Sequence, residues 1–254
     1  MSGLVTRREL VSGLAIGAGG LLSGCDRLGE NPGFRALLKS GEHGNYAVQR
    51  LLQDRTALAE EFAPSQRSPV FRANGTRMPG GDDYARHLAA GFADWRLVVD
   101  GAVARPQSLT MGEVKGMPAR HQITRHDCVE GWSAIAKWTG VPLKLLLDRA
   151  GVSREARFVV LHCADPQSNG TMYYESIDLL DAYHPQTILA WAINDLLLPV
   201  QNGAPLRLRV ERQLGYKQAK YVQRIEAVTS LAGIYGGGGG YWEDAAGYEW
   251  YAGL

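Results

Sequence analysis

From Trp95 onward, short strand-like and helix-like segments interleave with no regular period, and this limits the folds open to the chain more than any other feature. "WRLVVDGAV" alternates apolar and polar residues and ends at Asp100-Gly101, a hairpin signal. "HQITRHDC" and "RFVVLHCAD" read as strands that carry cysteines at their ends. Between them, "GVPLKLLLDRAGV" sets Pro142 near the start and Gly151 at the end of a short apolar run, which predicts a helix. "PQTILAWAIND" reads as another short helix, and "PLRLRVERQ" and "KYVQRIEAVTS" as further strands. There is no internal repeat. A Rossmann or barrel fold needs a regular βα alternation, so the pattern predicts one compact α+β domain of mixed sheets and short helices.

At 254 residues with 45% hydrophobic and 21% charged residues, the chain has the composition of a globular protein. Its net charge of +1 gives no reason to expect nucleic acid as a partner. Ahead of the domain, Arg7 and Arg8 precede the glycine-broken stretch "ELVSGLAIGAGGLLSGC", too short and interrupted to span a membrane as a stable helix. Residues 1–25 resemble a twin-arginine export signal ending in a lipobox, with Cys25 as the lipidated residue. The expected location is therefore the periplasm or cell envelope, with membrane contact through a lipid anchor. That pathway carries folded proteins, which hints at a cofactor inserted before export. Residues 26–68 form a leader with a helix over "YAVQRLLQDRTALAEEF"; the main domain spans 69–254, with a flexible glycine-rich link at 236–240 before an aromatic tail.

Cys128 stands between "ITRHD" and "VEGW" rather than among aliphatics. Arg125 close by supplies positive potential that favours a thiolate, and a thiolate is either a nucleophile or a ligand for a soft metal. Zinc held by His121, His126 and Cys128 lacks the paired ligand spacing such sites use. A cysteine nucleophile with His126 on the same strand face is the rival reading: an exported transpeptidase or hydrolase acting on the cell wall. A cofactor-free binding lipoprotein is a third. Cys128 and Cys163 could also form a disulfide, although nothing in their spacing demands one.

Downstream, "NGAPLRLRVERQLGYKQAK" gathers Arg207, Arg209, Arg212, Lys217 and Lys220. Alternation puts Arg207 and Arg209 on one face and Leu206 and Leu208 on the other. That is either a charged strand edge or a phosphate pocket, with Asn202 and the amides beside Gly203 as further donors. "FRANGT" offers a second such loop through Arg72, Asn74 and Gly75.

Three stretches in this order resemble the sulfite oxidase superfamily of molybdopterin-dependent oxidoreductases. "CVEGWSAIAKWTGVPL" is similar to its molybdenum-binding segment, with Cys followed by W-x-G-x-P-L. "HPQTILAWAINDLLLPVQNGAPLRLRVERQLGYKQAKYVQRI" is similar to its pterin-binding stretch, and "FRANGTRMP" to its leading loop. The resemblance implies a sulfite-oxidase-type fold with a molybdenum–molybdopterin cofactor. Cys128 would be the metal's thiolate ligand. Arg72, Asn74, Gly75 and Cys163 would contact the pterin, and Asn202, Arg207, Gln218, Ala219 and Lys220 its phosphate side. Tyr248 would approach the metal from the tail, while Arg125 and Asp127 would tune its potential. Glu130 would either relay a proton or pair with Arg125, and Trp132 and Trp138 would pack around the cofactor or core.

Gly75 where relatives carry His, "VEGW" after the cysteine, and an end at Leu254 without the immunoglobulin-like dimerisation domain all lean toward the exported bacterial branch, which includes periplasmic methionine sulfoxide reductase catalytic subunits. That branch implies a monomer performing oxygen-atom transfer on a small sulfoxide- or sulfite-like molecule. Electrons would pass to or from a membrane haem subunit or a cytochrome c.

Overall fold

The computed structural model describes residues 29–52 and 54–254, so the expected export signal lies outside the described residues. The chain divides into two compact units, 1–53 and 54–254. The first contains helix α1 (Pro32–Leu52). The predicted leader helix was placed too late: α1 starts at Pro32 and stops at Leu52. Beyond it Glu61 bridges Thr124, and Phe62 N–H donates to Ile123 O at 2.8 Å. The chain there covers the free edge of a strand, and an inter-strand hydrogen bond outweighs helical periodicity. Among the described residues, no helix is long and apolar enough to cross a membrane.

The second unit holds two five-stranded sheets, a mixed α+β architecture. It opens with helix α2 (Asp82–Ala89), then β1 (Arg96–Gly101), β2 (Gln107–Thr110) and helix α3 (Met111–Gly116). There follow β3 (Arg120–Asp127), β4 (Ser133–Pro142), helix α4 (Leu143–Ala150), β5 (Phe158–Pro166), β6 (Met172–Asp178) and helix α5 (Leu179–Ala182). The series closes with β7 (Ile188–Ile193), β8 (Leu196–Leu197), β9 (Arg207–Arg209), β10 (Val222–Val228) and helix α6 (Tyr241–Ala246). One sheet runs β2-β1-β10-β5-β6, with β1 and β10 parallel and its other pairs antiparallel. The other runs β3-β4-β7-β8, with β9 also paired to β7.

The main core lies between the first sheet, α4 and the β7–β9 region, through Leu97, Val159, Ile225, Leu147, Leu189 and Leu208. Helix α4 forms as expected and ends on Gly151 in the left-handed conformation (φ 69°). The β1–β2 hairpin also forms, through a five-residue connection.

The predicted helix "PQTILAWAIND" is instead strand β7, paired with β4, β8 and β9. A short apolar run fits a buried strand or a buried helix equally well, and neighbours on either side decide it. The glycine of "WTGVP" then has a purpose. At Gly140 a Cβ would lie 2.3 Å from Leu189 O, so β4 and β7 can approach as they do only with glycine there. The glycine run at 236–240 is pinned rather than a free link: Asp244 accepts from Gly236 N–H at 2.9 Å and from Gly238 N–H at 2.7 Å.

Candidate functional site

Strands β3 and β4 form a hairpin in register from Arg120↔Gly140 to Asp127↔Ser133, and Cys128 begins the turn at its tip. Its N–H donates to Trp132 O at 2.9 Å and its carbonyl accepts from Gly131 N–H at 3.0 Å. The thiol is buried, and Sγ accepts a hydrogen bond from Asn74 Nδ2 at 3.3 Å, which joins the turn to the "FRANGT" loop. Both Cys128 and Cys163 are free thiols.

Beside this turn lies a cavity of about 200 Å³. Its lining includes Asn74 and Gly75 from the loop, Val129 and Glu130 from the turn, and Gln218, Ala219 and Lys220 from the segment before β10. Arg207 from β9 and Tyr248 from the tail also reach it. These stretches are far apart in sequence.

The five basic residues divide into two groups. Arg209 pairs with Glu211, Arg212 with Asp181, and Lys217 with both Glu175 and Glu243. Arg207 and Lys220 have no carboxylate within salt-bridge distance among the described residues, though both are buried. Arg207 Nη1 donates to Asn202 O at 3.3 Å. Lys220 Nζ donates to the carbonyls of Asn74 (2.7 Å), Gln201 (3.1 Å) and Thr76. Burial, and then the neighbouring Arg209, pull Arg207 down to about 9; burial and Arg207 pull Lys220 down to about 7. Arg207 Nε and Asn202 Nδ2 are buried donors with no partner among the described residues.

Two buried cations and unused donors beside a cavity call for an anion with several acceptor oxygens, which a phosphate monoester provides. All five cations of the basic cluster are buried, which does not fit a solvent-exposed charged edge. Gly203 adjoins the cluster: φ is +110°, and a Cβ there would lie 2.9 Å from the Lys220 side chain. The buried cation pair and adjacent thiol fit a molybdopterin, whose ends are a phosphate and a metal dithiolene.

Several expected site residues are elsewhere. Arg125 is on the exposed face of β3 and pairs with Asp127 at 2.9 Å rather than with Glu130, because alternation turns it away from the cavity. The cation acting on Cys128 is Arg207, and the thiol pKa is pushed up rather than down, by burial above all and also by the Glu130 charge. Glu130 instead accepts from Trp132 Nε1 at 2.9 Å. Arg72 is exposed and outside the cavity lining. Cys163 sits in the main core, its Sγ 3.8 Å from Leu161 O, and it too is outside the lining. Asn202 and Cys128 are also outside the lining; Asn202 accepts from Arg207, and Cys128 accepts from Asn74, both of which line the cavity.

His126 is fully buried and is pushed well below its ordinary pKa by burial, Arg207 and Arg209. Its ring nitrogen Nδ1 faces Arg209 Nη1 at 3.0 Å rather than the thiol. A base held by an arginine, next to a thiol whose pKa is raised, does not make the nucleophilic pair that a transpeptidase needs.

Asp165, Gln167 and the aromatic residues Tyr173, Tyr216 and Trp242 line the cavity without having been singled out. Burial raises Asp165 to about 6. Asp165 is the penultimate residue of β5, and a carboxylate at the end of the apolar run "FVVLHCAD" was the one signal in the sequence for it.

A buried thiol at a hairpin tip beside a cationic cavity defines an enzyme that holds an anionic, metal-bearing cofactor. The chain belongs to the oxidoreductase molybdopterin-binding domain family, whose model matches residues 86–233. It is accordingly an oxidoreductase of sulfite oxidase type with a molybdenum–molybdopterin cofactor. A relative from Azospira oryzae, provisionally named protein-methionine-sulfoxide reductase subunit YedZ1, is 38% identical over 247 residues, covering 97% of this chain and 87% of that one. The protein-methionine-sulfoxide reductase catalytic subunit MsrP of Xanthomonas campestris pv. campestris is 39% identical over 150 residues, 55% of this chain and 47% of that protein. The aligned stretch thus spans about half of the Xanthomonas protein. Among solved structures, the sulfane dehydrogenase SoxCD from Paracoccus pantotrophus aligns over 54% of this chain and 39% of that chain, with 23% identity and a TM-score of 0.49, a likeness too slight to argue from.

Proposed function

We propose that this chain is the catalytic part of an exported sulfoxide reductase. It would convert a methyl sulfoxide, two electrons and two protons into the thioether and water. One observation carries the reading: Arg207 and Lys220, the two cations of the basic cluster without carboxylate partners, meet the Cys128 turn at one cavity. The names of the Azospira and Xanthomonas relatives support the choice of sulfoxide over other oxygen acceptors. Both names contain the word subunit, which supports a partner protein; a membrane haem subunit or a cytochrome c would fill that role as electron donor, and the export-signal resemblance of residues 1–25 supports the periplasm or cell envelope as location. The sequence before residue 26 supports twin-arginine export with a lipid on Cys25.

The cofactor would supply a two-electron metal centre able to accept the sulfoxide oxygen. The chain's residues do the rest. Arg207 and Lys220 bind the phosphate, and Asn202 fixes Arg207 through its carbonyl. Cys128 Sγ is the metal ligand, and Asn74 Nδ2 orients it. Because burial raises this thiol, loading releases its proton, and the cofactor-free thiol stays unreactive. Glu130, in the cavity lining two residues from Cys128, is placed to carry a proton to the departing oxygen.

The test is to purify the protein from a host that makes the cofactor, count molybdenum and phosphate per chain, and assay methionine sulfoxide with a chemical reductant. About one of each per chain and sulfoxide turnover that Cys128→Ser abolishes are the expected results. A metal-free protein from such a host overturns the reading. A loaded protein that oxidises sulfite and leaves sulfoxides untouched reverses the direction.

A further inference from the structure

The cavity lining changes character from inside to outside. Its buried part carries Arg207, Lys220 and the carboxyl of Asp165, whereas its exposed part carries Val129, Glu130, Trp242 and Tyr248. Trp242 and Tyr248, 37% and 36% exposed, come from the C-terminal segment and stack with ring centroids 5.8 Å apart at 26°. Tyr216 meets Tyr248 edge-on at 5.1 Å and 78°, so the three rings form a wall with two orientations. The charged side chain nearest to Cys128 in sequence on this lining is the Glu130 carboxylate.

The wall is fixed from behind. Glu243, next to Trp242, is buried, with its Oε1 2.6 Å from Lys217 Nζ. That nitrogen also lies 2.5 Å from Glu175 Oε1 on β6. Tyr216 Oη donates to Glu249 O at 2.7 Å, which ties the chain beside Tyr248 to the same loop. A buried charged clasp therefore sets where the tail's aromatic rings stand.

We infer that Trp242, Tyr248 and Tyr216 determine specificity by receiving the methylsulfinyl group of the substrate and disfavouring sulfite. The inference rests on the sulfoxide-reductase reading and deepens it. Sulfur is the positive end of the S–O dipole and its methyl hydrogens are also positive, so both face the negative side of aromatic rings favourably. A sulfite dianion meets those ring faces and the Glu130 carboxylate unfavourably. The cations that would offset this lie in the buried part of the lining, where the cofactor's phosphate takes them up. Glu243 is a positioning residue that acts through Trp242.

The test uses the loaded enzyme with N-acetylmethionine sulfoxide as substrate, sulfite as competitor and N-acetylmethionine as a binding probe. In Trp242→Ala, KM for the sulfoxide rises about tenfold, more than kcat changes, with molybdenum per chain retained. Glu243→Gln shifts KM in the same direction by less. Saturation transfer from protein to the S-methyl protons of N-acetylmethionine, strong in the wild type, weakens in Trp242→Ala; this readout needs no turnover. An unchanged KM and unchanged S-methyl transfer in Trp242→Ala overturn the inference. So does sulfite competing in the wild type as strongly as the sulfoxide. If the wild type reduces no sulfoxide yet its S-methyl transfer depends on Trp242, the proposed reaction fails and the recognition wall stands. With neither turnover nor transfer in the wild type, the wall fails too.

Discussion

Lys217 and Lys220 are three residues apart, both buried, and held in opposite ways. Lys217 sits between two glutamates, which outweigh its burial and hold its pKa above the ordinary value. Lys220 has only carbonyl oxygens as hydrogen-bond partners, and burial, then the nearby Arg207, pull its pKa down to about 7. The same contrast separates Arg209, paired with Glu211, from Arg207 on the same short strand. Internally compensated cations are part of the fold; the uncompensated ones, Arg207 and Lys220, line the cavity. Burial alone does not distinguish the two kinds. The location of the carboxylates does.

Breaking a compensated cation should have the largest effect on folding. Lys217→Met leaves Glu175 and Glu243 buried against each other and should cost about 3–5 kcal/mol, measured by thermal or denaturant unfolding. Loss below ~1 kcal/mol would mean that the clasp is not what holds the tail.

Removing an uncompensated cation should do the reverse. Arg207→Ala should weaken cofactor retention by about 10–100-fold, the worth of a charged hydrogen bond. The cofactor-free chain should keep its melting temperature or gain slightly. Molybdenum per chain and calorimetry read the two effects separately, and a large melting loss with normal occupancy would erase the contrast.

A smaller effect distinguishes the two lysines by pH. The unfolded chain binds a proton at Lys220 that the folded, cofactor-free chain releases above about 7. Stability therefore rises with pH between about 7 and the ordinary lysine value. The pKa of Lys217 is raised, so its stabilisation is complete below the ordinary value and is lost as pH climbs through the folded value. Unfolding of cofactor-free protein across alkaline pH, compared with Lys220→Met, should show the first slope disappear in the variant. Over the same range, phosphate affinity of the cofactor-free chain should fall as pH passes about 7, and Lys220→Met should flatten that fall. The smallest effect belongs to Gly203→Ala, where a positive φ and contact with Lys220 should cost about 1 kcal/mol and slightly lower occupancy.

Much of this was legible in the amino-acid order. Alternation identified β1, β3, β5 and β10, and the Pro142–Gly151 bracket identified α4. The basic stretch and the odd setting of Cys128 marked the right neighbourhood. β7 was misread because six apolar residues between turn signals satisfy both a helix and a buried strand, and β4 and β9 on either side chose the strand. Arg125 was misassigned for a related reason. Closeness in sequence to Cys128 suggested closeness in space, but the strand's two-residue period points it outward.

The sequence by itself determined most of the local elements, the family and the cofactor that the family carries. These depend on residue type and short-range spacing, and both are visible in one dimension. Only the tertiary structure decided which of five similar cations is neutralised, that Asn74 rather than a neighbouring cation touches Cys128, and that the tail supplies the cavity's aromatic wall. Apart from the Arg209–Glu211 pair, two positions apart, these depend on contacts between residues 26 to 54 positions apart, such as Lys217–Glu243 and Asn74–Cys128. A direct ion pair needs its partners within about 4 Å, so which cation has one is fixed by the fold rather than by residue type.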